Sequence, residues 1–234
     1  MDLSEKLLDN PIWNSLRTHL AYFSEGGELA RRFQAKIGPL AGLKEQSTEA
    51  YAELRSLLKS GEYGVLFLAD EPRLPEGWKL LKHGRGDQMI CRKTLPVPLT
   101  GFEIVPLGPN DVPEMLSLTQ LTDPGPFRER TIELGAFFGV RQNGRLAAMA
   151  GQRLSMPGFV EVSGVCTHPD FRGHGYAQAL VAYVTALIQR RGDTPILHVY
   201  SKNDSAIRVY ERLGYTRRWS AHVAVITPLF EGQQ

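Results

Sequence analysis

Apolar residues recur at two different spacings along this chain, and the switches between them mark its elements. Residues 4 to 23 carry a helical pattern that is broken near Pro11 and ended by Gly26-Gly27. Leu29 to Phe33 reads either as a strand or as a helix start. Ser47 to Ser60 predicts a helix, with Ser47 at its start, Leu54, Leu57 and Leu58 on one side, and Gly61 at its end. Gly64-Val-Leu-Phe-Leu-Ala69 predicts a buried strand. Trp78 to His83 and Gln88 to Lys93 are expected to pair as a hairpin across Gly84-Arg85-Gly86. The proline-spaced run Thr94-Leu-Pro-Val-Pro-Leu99 then reads as a linker. The boundary expected there separates a smaller N-terminal α/β domain, residues 1–95, from a second domain, residues 96–234.

The second part alternates strand and helix patterns as an α/β (α+β) unit should. Phe102 to Pro106 is a strand, and Asn110 or Asp111 caps a helix that runs to about Leu121. The loop Thr122-Asp-Pro-Gly-Pro-Phe127 leads to a short helix ending at Leu134. Ala136 to Arg141 and Arg145 to Leu154 form a hairpin over Asn143-Gly144, the strongest turn signal in the chain. Met156-Pro157-Gly158 turns into a strand ending at Thr167, and a long helix follows over 175–191. Pro195 to Tyr200 is a buried strand, and Ala206 to Leu213 is a short helix closed by Gly214. Two last strands, Tyr215 to Trp219 and His222 to Thr227, are expected to close the sheet.

Composition narrows what such a chain can do. Its 234 residues are 42% hydrophobic, ample for a core, and its formal charge of +2 is spread so that no basic run exceeds two residues. A nucleic-acid footprint requires clustered Lys and Arg, so no nucleic-acid partner is expected. With no signal peptide and no apolar stretch of ~18 residues, a cytoplasmic protein without a membrane span is expected. The two cysteines, Cys91 and Cys166, lie in separate strands and imply no disulfide. The six histidines have no metal-ligand spacing, and no metal is expected.

The chemistry concentrates between Val165 and Ala177. A β-branched run (Val160, Val162, Val165) stops at Pro169, two glycines follow, and a helix starts at Tyr176. The first amides of a helix lack internal partners and the helix dipole adds positive charge there, so this corner can hold an anion. Gly173 and Gly175 clear the approach, Arg172 adds a fixed cation, and His174 sits in the turn where it can line a phosphate. A pyrophosphate fits this corner. The dinucleotide pattern and the P-loop pattern are both absent.

Arg172-Gly-His-Gly-Tyr-Ala177 resembles the R/Q-x-x-G-x-G/A signature of the GCN5-related N-acetyltransferases (GNAT). Asn203, Ala206, Tyr210, Gly214 and Tyr215 match the family's second signature, N-x-x-A-x-x-x-Y-x-x-x-G-[FY], about 30 residues downstream. The resemblance covers roughly residues 100 to 228 and is nearest to the FR47-like branch, which is related to glycine N-acyltransferases. It implies the GNAT fold: a mixed, mostly antiparallel central sheet with flanking helices and a splayed strand pair. The N-terminal domain carries no readable motif. It can shape the acceptor cleft, mediate a homodimer or only stabilise, and it could be a decayed copy of the same fold.

The resemblance also implies acyl transfer from acetyl-CoA, or another acyl-CoA, to an amine. Holding the donor falls to the turn (Arg172, Gly173, His174, Gly175, Tyr176 and Ala177) and to the backbone edge of Val165, Cys166 and Thr167. Asn203 and Ser205 meet the pantetheine or cap the helix. A backbone amide near Val165 or Cys166 is the expected oxyanion donor. Tyr210 stands where the family often places a tyrosine beside the coenzyme sulfur, as an acid. Glu161 is the candidate base: it interrupts an apolar strand, desolvation should raise its pKa, and related enzymes carry a glutamate at this distance from the matching proline. His198 reads as a satisfied core histidine or an active-site wall, and Cys166 as a small core residue rather than a nucleophile. The acceptor is expected to be a small molecule, such as an amino acid. The alternatives are a protein N-terminal or lysine acetyltransferase, and a non-catalytic acyl-CoA sensor.

Overall fold

A computed structural model describes residues 3–230 of the chain. A 3₁₀ segment (Leu3–Asp9) leads into α1 (Pro11–Arg17), and a small antiparallel sheet follows: β1 (Ser24–Gly26), β2 (Ala30–Phe33) and β3 (Ala41–Leu43). Next come α2 (Thr48–Leu57), β4 (Gly64–Leu68) and β5 (Trp78–Cys91). The rest runs β6 (Val105–Leu107), α3 (Val112–Thr122), β7 (Phe137–Gln142), β8 (Arg145–Met156), β9 (Phe159–Thr167), α4 (Tyr176–Arg190), β10 (Thr194–Tyr200), α5 (Asp204–Arg212) and β11 (Tyr215–Pro228). The second sheet has eight strands in the order β4-β11-β5-β10-β9-β8-β7-β6. Every neighbouring pair is antiparallel except β9 with β10.

Local signals explain most of these elements. Ser47 accepts from the Ala50 amide at 3.2 Å and starts α2. Asn143 and Gly144 take φ of 52° and 77°, the two left-handed positions of a tight hairpin turn, and fix the β7–β8 register at Gln142↔Arg145. Helices α4 and α5 cover one face of the sheet through Leu180, Val184, Ile207 and Tyr210. The other face is covered by the N-terminal residues Leu8, Ile12 and Leu16, which pack on Ile90, Leu154 and Ile196.

Two expectations are overturned here. Trp78 to Lys93 is no hairpin: β5 is one strand whose glycines pair straight through, Gly84 with Val223 and Gly86 with both Ala221 and Tyr200. A Cβ on Gly86 would lie 2.9 Å from Val223, so glycine there permits close packing rather than a turn. Its partner β11 is likewise one strand of 14 residues, with bulges between Arg217 and Trp219 and between Val225 and Ile226, instead of two strands. The boundary expected near residue 95 falls between strands of one sheet. Strand β5, from before the linker, lies between β10 and β11, from after it, and completes their hydrogen bonding.

β9 and β10 are the pair that matters for the site. They pair in parallel only at Thr194↔Phe159, Pro195↔Val160 and Ile196↔Glu161. Beyond Glu161 the two strands have no register partner in each other, and a gap opens. Gly164, at φ 63°, sits in a bulge of β9 where two residues (Gly164 and Val165) face one on β8, which bends the strand away.

Candidate active site

The gap between β9 and β10 opens into a cavity of about 570 Å³. Its floor at one end is the turn into α4. Gly173 and Gly175 adopt φ of 84° and 77°, a backbone that side-chain-bearing residues rarely take, and a Cβ on either would point into open space. The first backbone bond across this helix start runs from the Ala179 amide to the Gly175 carbonyl, so the amides of Tyr176, Ala177 and Gln178 have no acceptor inside the helix. Arg172 is exposed and extended beside them and has no ion-pair partner among the described residues. Thr167 Oγ1 is buried with no hydrogen-bond partner among the described residues. Free amides, an uncommitted cation and an orphaned hydroxyl on one wall suit a coenzyme with a pyrophosphate and an amide-bearing arm.

His174 differs from expectation. Its Nδ1 lies 3.0 Å from the Arg172 carbonyl and 3.2 Å from that of Phe171, and its ring stacks on Tyr176. That side chain braces the turn from behind and lies off the cavity lining.

The second signature forms the opposite wall. Asn203 caps α5 by accepting from the Ala206 amide at 3.2 Å and from Ser205 Oγ at 3.0 Å, so its helix-cap role is met in full. One α-helical face then carries Ala206 and Tyr210 to the cavity. Tyr210 is 8% exposed, and its hydroxyl makes no hydrogen bond within the described protein. Burial pushes its pKa up to about 12. Across the gap, burial pushes the Cys166 thiol up to about 12 as well. Cys166 packs with Met149 and Leu118 and is a core residue.

Glu161 does not meet its expectation. It is fully buried, and four donors surround its carboxylate. Arg153 supplies Nε at 2.9 Å and Nη2 at 2.8 Å, the Leu154 amide lies at 3.2 Å, and His198 Nδ1 lies at 2.7 Å. Burial alone would raise its pKa. The charge of Arg153, with hydrogen bonds from His198 and Arg153, outweighs burial and holds the carboxyl far below the usual carboxylate range. All four lone-pair directions of the carboxylate are taken and Glu161 lies off the cavity lining, which speaks against its use as a base.

His198 is both things the sequence left open. Gln88 Nε2 donates to the Leu8 carbonyl at 2.9 Å and faces His198 Nε2 at 3.1 Å, while Gln88 Oε1 accepts from Arg218 at 3.2 Å. That orientation of the amide makes His198 Nε2 an acceptor, so Nδ1 is the nitrogen that donates to Glu161. The ring is satisfied, packs 4.7 Å from Phe67, and lines the cavity.

Sequence reasoning missed Arg153. The visible signal was a lone arginine in the apolar run Ala147 to Leu154, placed eight residues before a lone glutamate in the strand it faces. Asp123 also gains significance: at φ 44° it ends α3 and is the one carboxylate among the lining residues. Leu40, Val65 and Phe67 bring the N-terminal part of the chain to the cavity wall. Among the described residues no helix is long and apolar enough to cross a membrane, and no group of three His, Cys, Asp or Glu could hold a metal ion.

A forked parallel strand pair, a glycine turn at a helix start and a tyrosine across the gap are together the framework of an acetyltransferase. Comparison with known proteins agrees. The FR47-like protein family matches residues 137–224. A crystal structure assigned to the GNAT acetyltransferases, from Novosphingobium aromaticivorans, is 38% identical, covers 95% of this chain and 99% of its own, and superposes with a TM-score of 0.88. A GCN5-related N-acetyltransferase from Kribbella flavida shares the fold at 16% identity, covering 97% of this chain and 96% of its own with a TM-score of 0.63. Mycothiol acetyltransferase from Salinispora arenicola is 40% identical over 74 residues, 31% of this chain, so the match spans about a quarter (24%) of that protein. The chain belongs to the GNAT family.

Proposed function

We propose that the protein transfers an acetyl group from acetyl-CoA to the amine of a small acceptor. The observation that carries this reading is the β9–β10 gap: a free strand edge, uncommitted helix-start amides and a buried phenol converge on one cavity. Acetyl-CoA supplies the activated acyl group and leaves as the thiol.

Each requirement of the reaction has a matching group. The amides of Tyr176, Ala177 and Gln178, with the Arg172 guanidinium, hold the pyrophosphate without reorganising. The edge of Val165 to Thr167, left unpaired by β10, offers amides and carbonyls to the pantetheine arm as an added strand would. Positioning of this kind is worth roughly 7–11 kcal/mol of barrier, more than any one side chain here. An amide at the Gly164–Val165 bulge polarises the acyl carbonyl. Tyr210 holds its proton at neutral pH and donates it to the departing sulfur. Burial pushes the phenol up to about 12, so it keeps its proton until charge develops on the departing sulfur. The acceptor's ammonium proton leaves through water at the open mouth, where Asp123 stands, and the second proton its nitrogen loses on acylation returns to Tyr210. Glu161 fixes the Arg153 guanidinium and the His198 tautomer.

Two measurements test the reading. Acetyl-CoA at ~100 times its Kd should stabilise the protein by about 2.7 kcal/mol in thermal melting. Thiol release should then follow addition of an amine acceptor from a panel of small amines, amino acids and N-terminal peptides. A melting curve that acetyl-CoA leaves in place refutes the donor site. Binding without thiol release for any amine or peptide makes the protein a sensor.

A further inference from the structure

We propose that Arg153 is the residue that reads the acceptor, and that the acceptor is an amine bearing a carboxylate and an apolar side chain. This inference rests on the acetyl-transfer reading above and names the substrate class for it.

Arg153 sits on β8 where two residues, Arg153 and Leu154, face the single residue Glu161 on β9. The bulge turns the guanidinium toward the strand gap instead of letting it follow the pleat. It is 9% exposed, and what is exposed lines both the main cavity and a small recess under the Pro124–Phe127 loop. Glu161 takes Nε and Nη2 side-on. Nη1 finds no partner among the described residues. A guanidinium buried this deeply normally has its donors satisfied, because an unmade bond to a charged group is costly. Here the remaining donors face the place where the acceptor must lie.

Glu161 also makes the donor rigid. A free arginine would spend side-chain entropy on holding a ligand, whereas one locked by a bidentate carboxylate does not. Planar donors held in this way suit a second carboxylate in a forked or end-on bond. Among the other cavity walls Leu40, Val65, Phe67 and Val223 are apolar beside His198, and they suit an apolar side chain on the acceptor.

The experiment compares apolar amino acids with their decarboxylated counterparts in the intact protein: leucine with isoamylamine, phenylalanine with phenethylamine. A hydrogen-bonded charge contact predicts kcat/KM higher for the amino acid by about 10- to 100-fold. Arg153→Gln should abolish that preference through acceptor KM, with acetyl-CoA affinity unchanged, and Arg153→Lys should restore part of it. Because Arg153→Gln leaves Glu161 without its cation, the double variant Arg153→Gln/Glu161→Gln is measured beside it and should show the same lost preference. Equal rates for acid and amine in the parent overturn the proposal without any variant, as does acetyl-CoA binding with transfer to neither class. Absence of acetyl-CoA binding overturns the acetyl-transfer reading itself.

Discussion

Arg153 and Glu161 lock to each other across β8 and β9 by two hydrogen bonds of 2.9 and 2.8 Å, in a bulge that neither strand would hold alone. The pair lies at the root of the fork, since Glu161 is the last β9 residue paired with β10. It therefore sets where the strands part and what faces the space between them.

The lock predicts a pH dependence of stability and not of chemistry. The carboxyl of Glu161 is held far below its ordinary 4.5 in the fold, so its contribution is fully present above about pH 4.5. It is lost progressively as pH falls below that, toward the folded value. Glu161→Gln should cost about 3–5 kcal/mol at pH 7 by leaving Arg153 uncompensated, and should flatten the acid limb of a plot of stability against pH. The kcat profile of the parent should show no inflection below pH 6. An acid limb in kcat that disappears in Glu161→Gln would restore the glutamate as a base.

Gly175→Val tests the anion corner. Its φ of 77° is unfavourable for a branched residue by about 1–2 kcal/mol, and the new side chain enters the open space above the helix amides. The variant should stay folded by far-UV circular dichroism and lose acetyl-CoA affinity by at least about 100-fold, since several charge-assisted bonds are blocked together. Unchanged affinity by titration calorimetry would move the phosphate elsewhere.

Tyr210→Phe should lower kcat by about 100-fold and leave the Kd for acetyl-CoA within a factor of a few. In the parent, activity should persist to about pH 11, because the phenol is held near 12. Should the phenylalanine variant turn over at the parental rate, the hydroxyl is no acid here.

The fragment 96–234 should not fold. Without β5, strands β10 and β11 each lose their shared partner and expose two unpaired edges. Heating it should give no cooperative transition, whereas a sharp one would make the boundary at 95 a true domain boundary.

Elements written into a few adjacent residues were legible beforehand. The Asn143-Gly144 hairpin, the Ser47 cap, the Gly173–Gly175 turn and the Asn203 cap depend on local backbone preferences, and all form where the sequence put them. Long-range relationships were not legible. Gly84-Arg85-Gly86 has the composition of a turn, and only pairing with Val223 and Tyr200 from the far end of the chain keeps it extended. Glu161 was rightly singled out as a charge that needs explaining. Its explanation, Arg153, lies across a hairpin and is brought opposite by a bulge that strict alternation does not foresee.

Crystals grown with acetyl-CoA provide the most direct measurement. The diphosphate should rest on the amides of residues 173–178, with the acyl group between β9 and β10 within hydrogen-bonding reach of the Tyr210 hydroxyl. Density for the coenzyme on another face, or protein side chains closing the fork in its presence, would contradict the account.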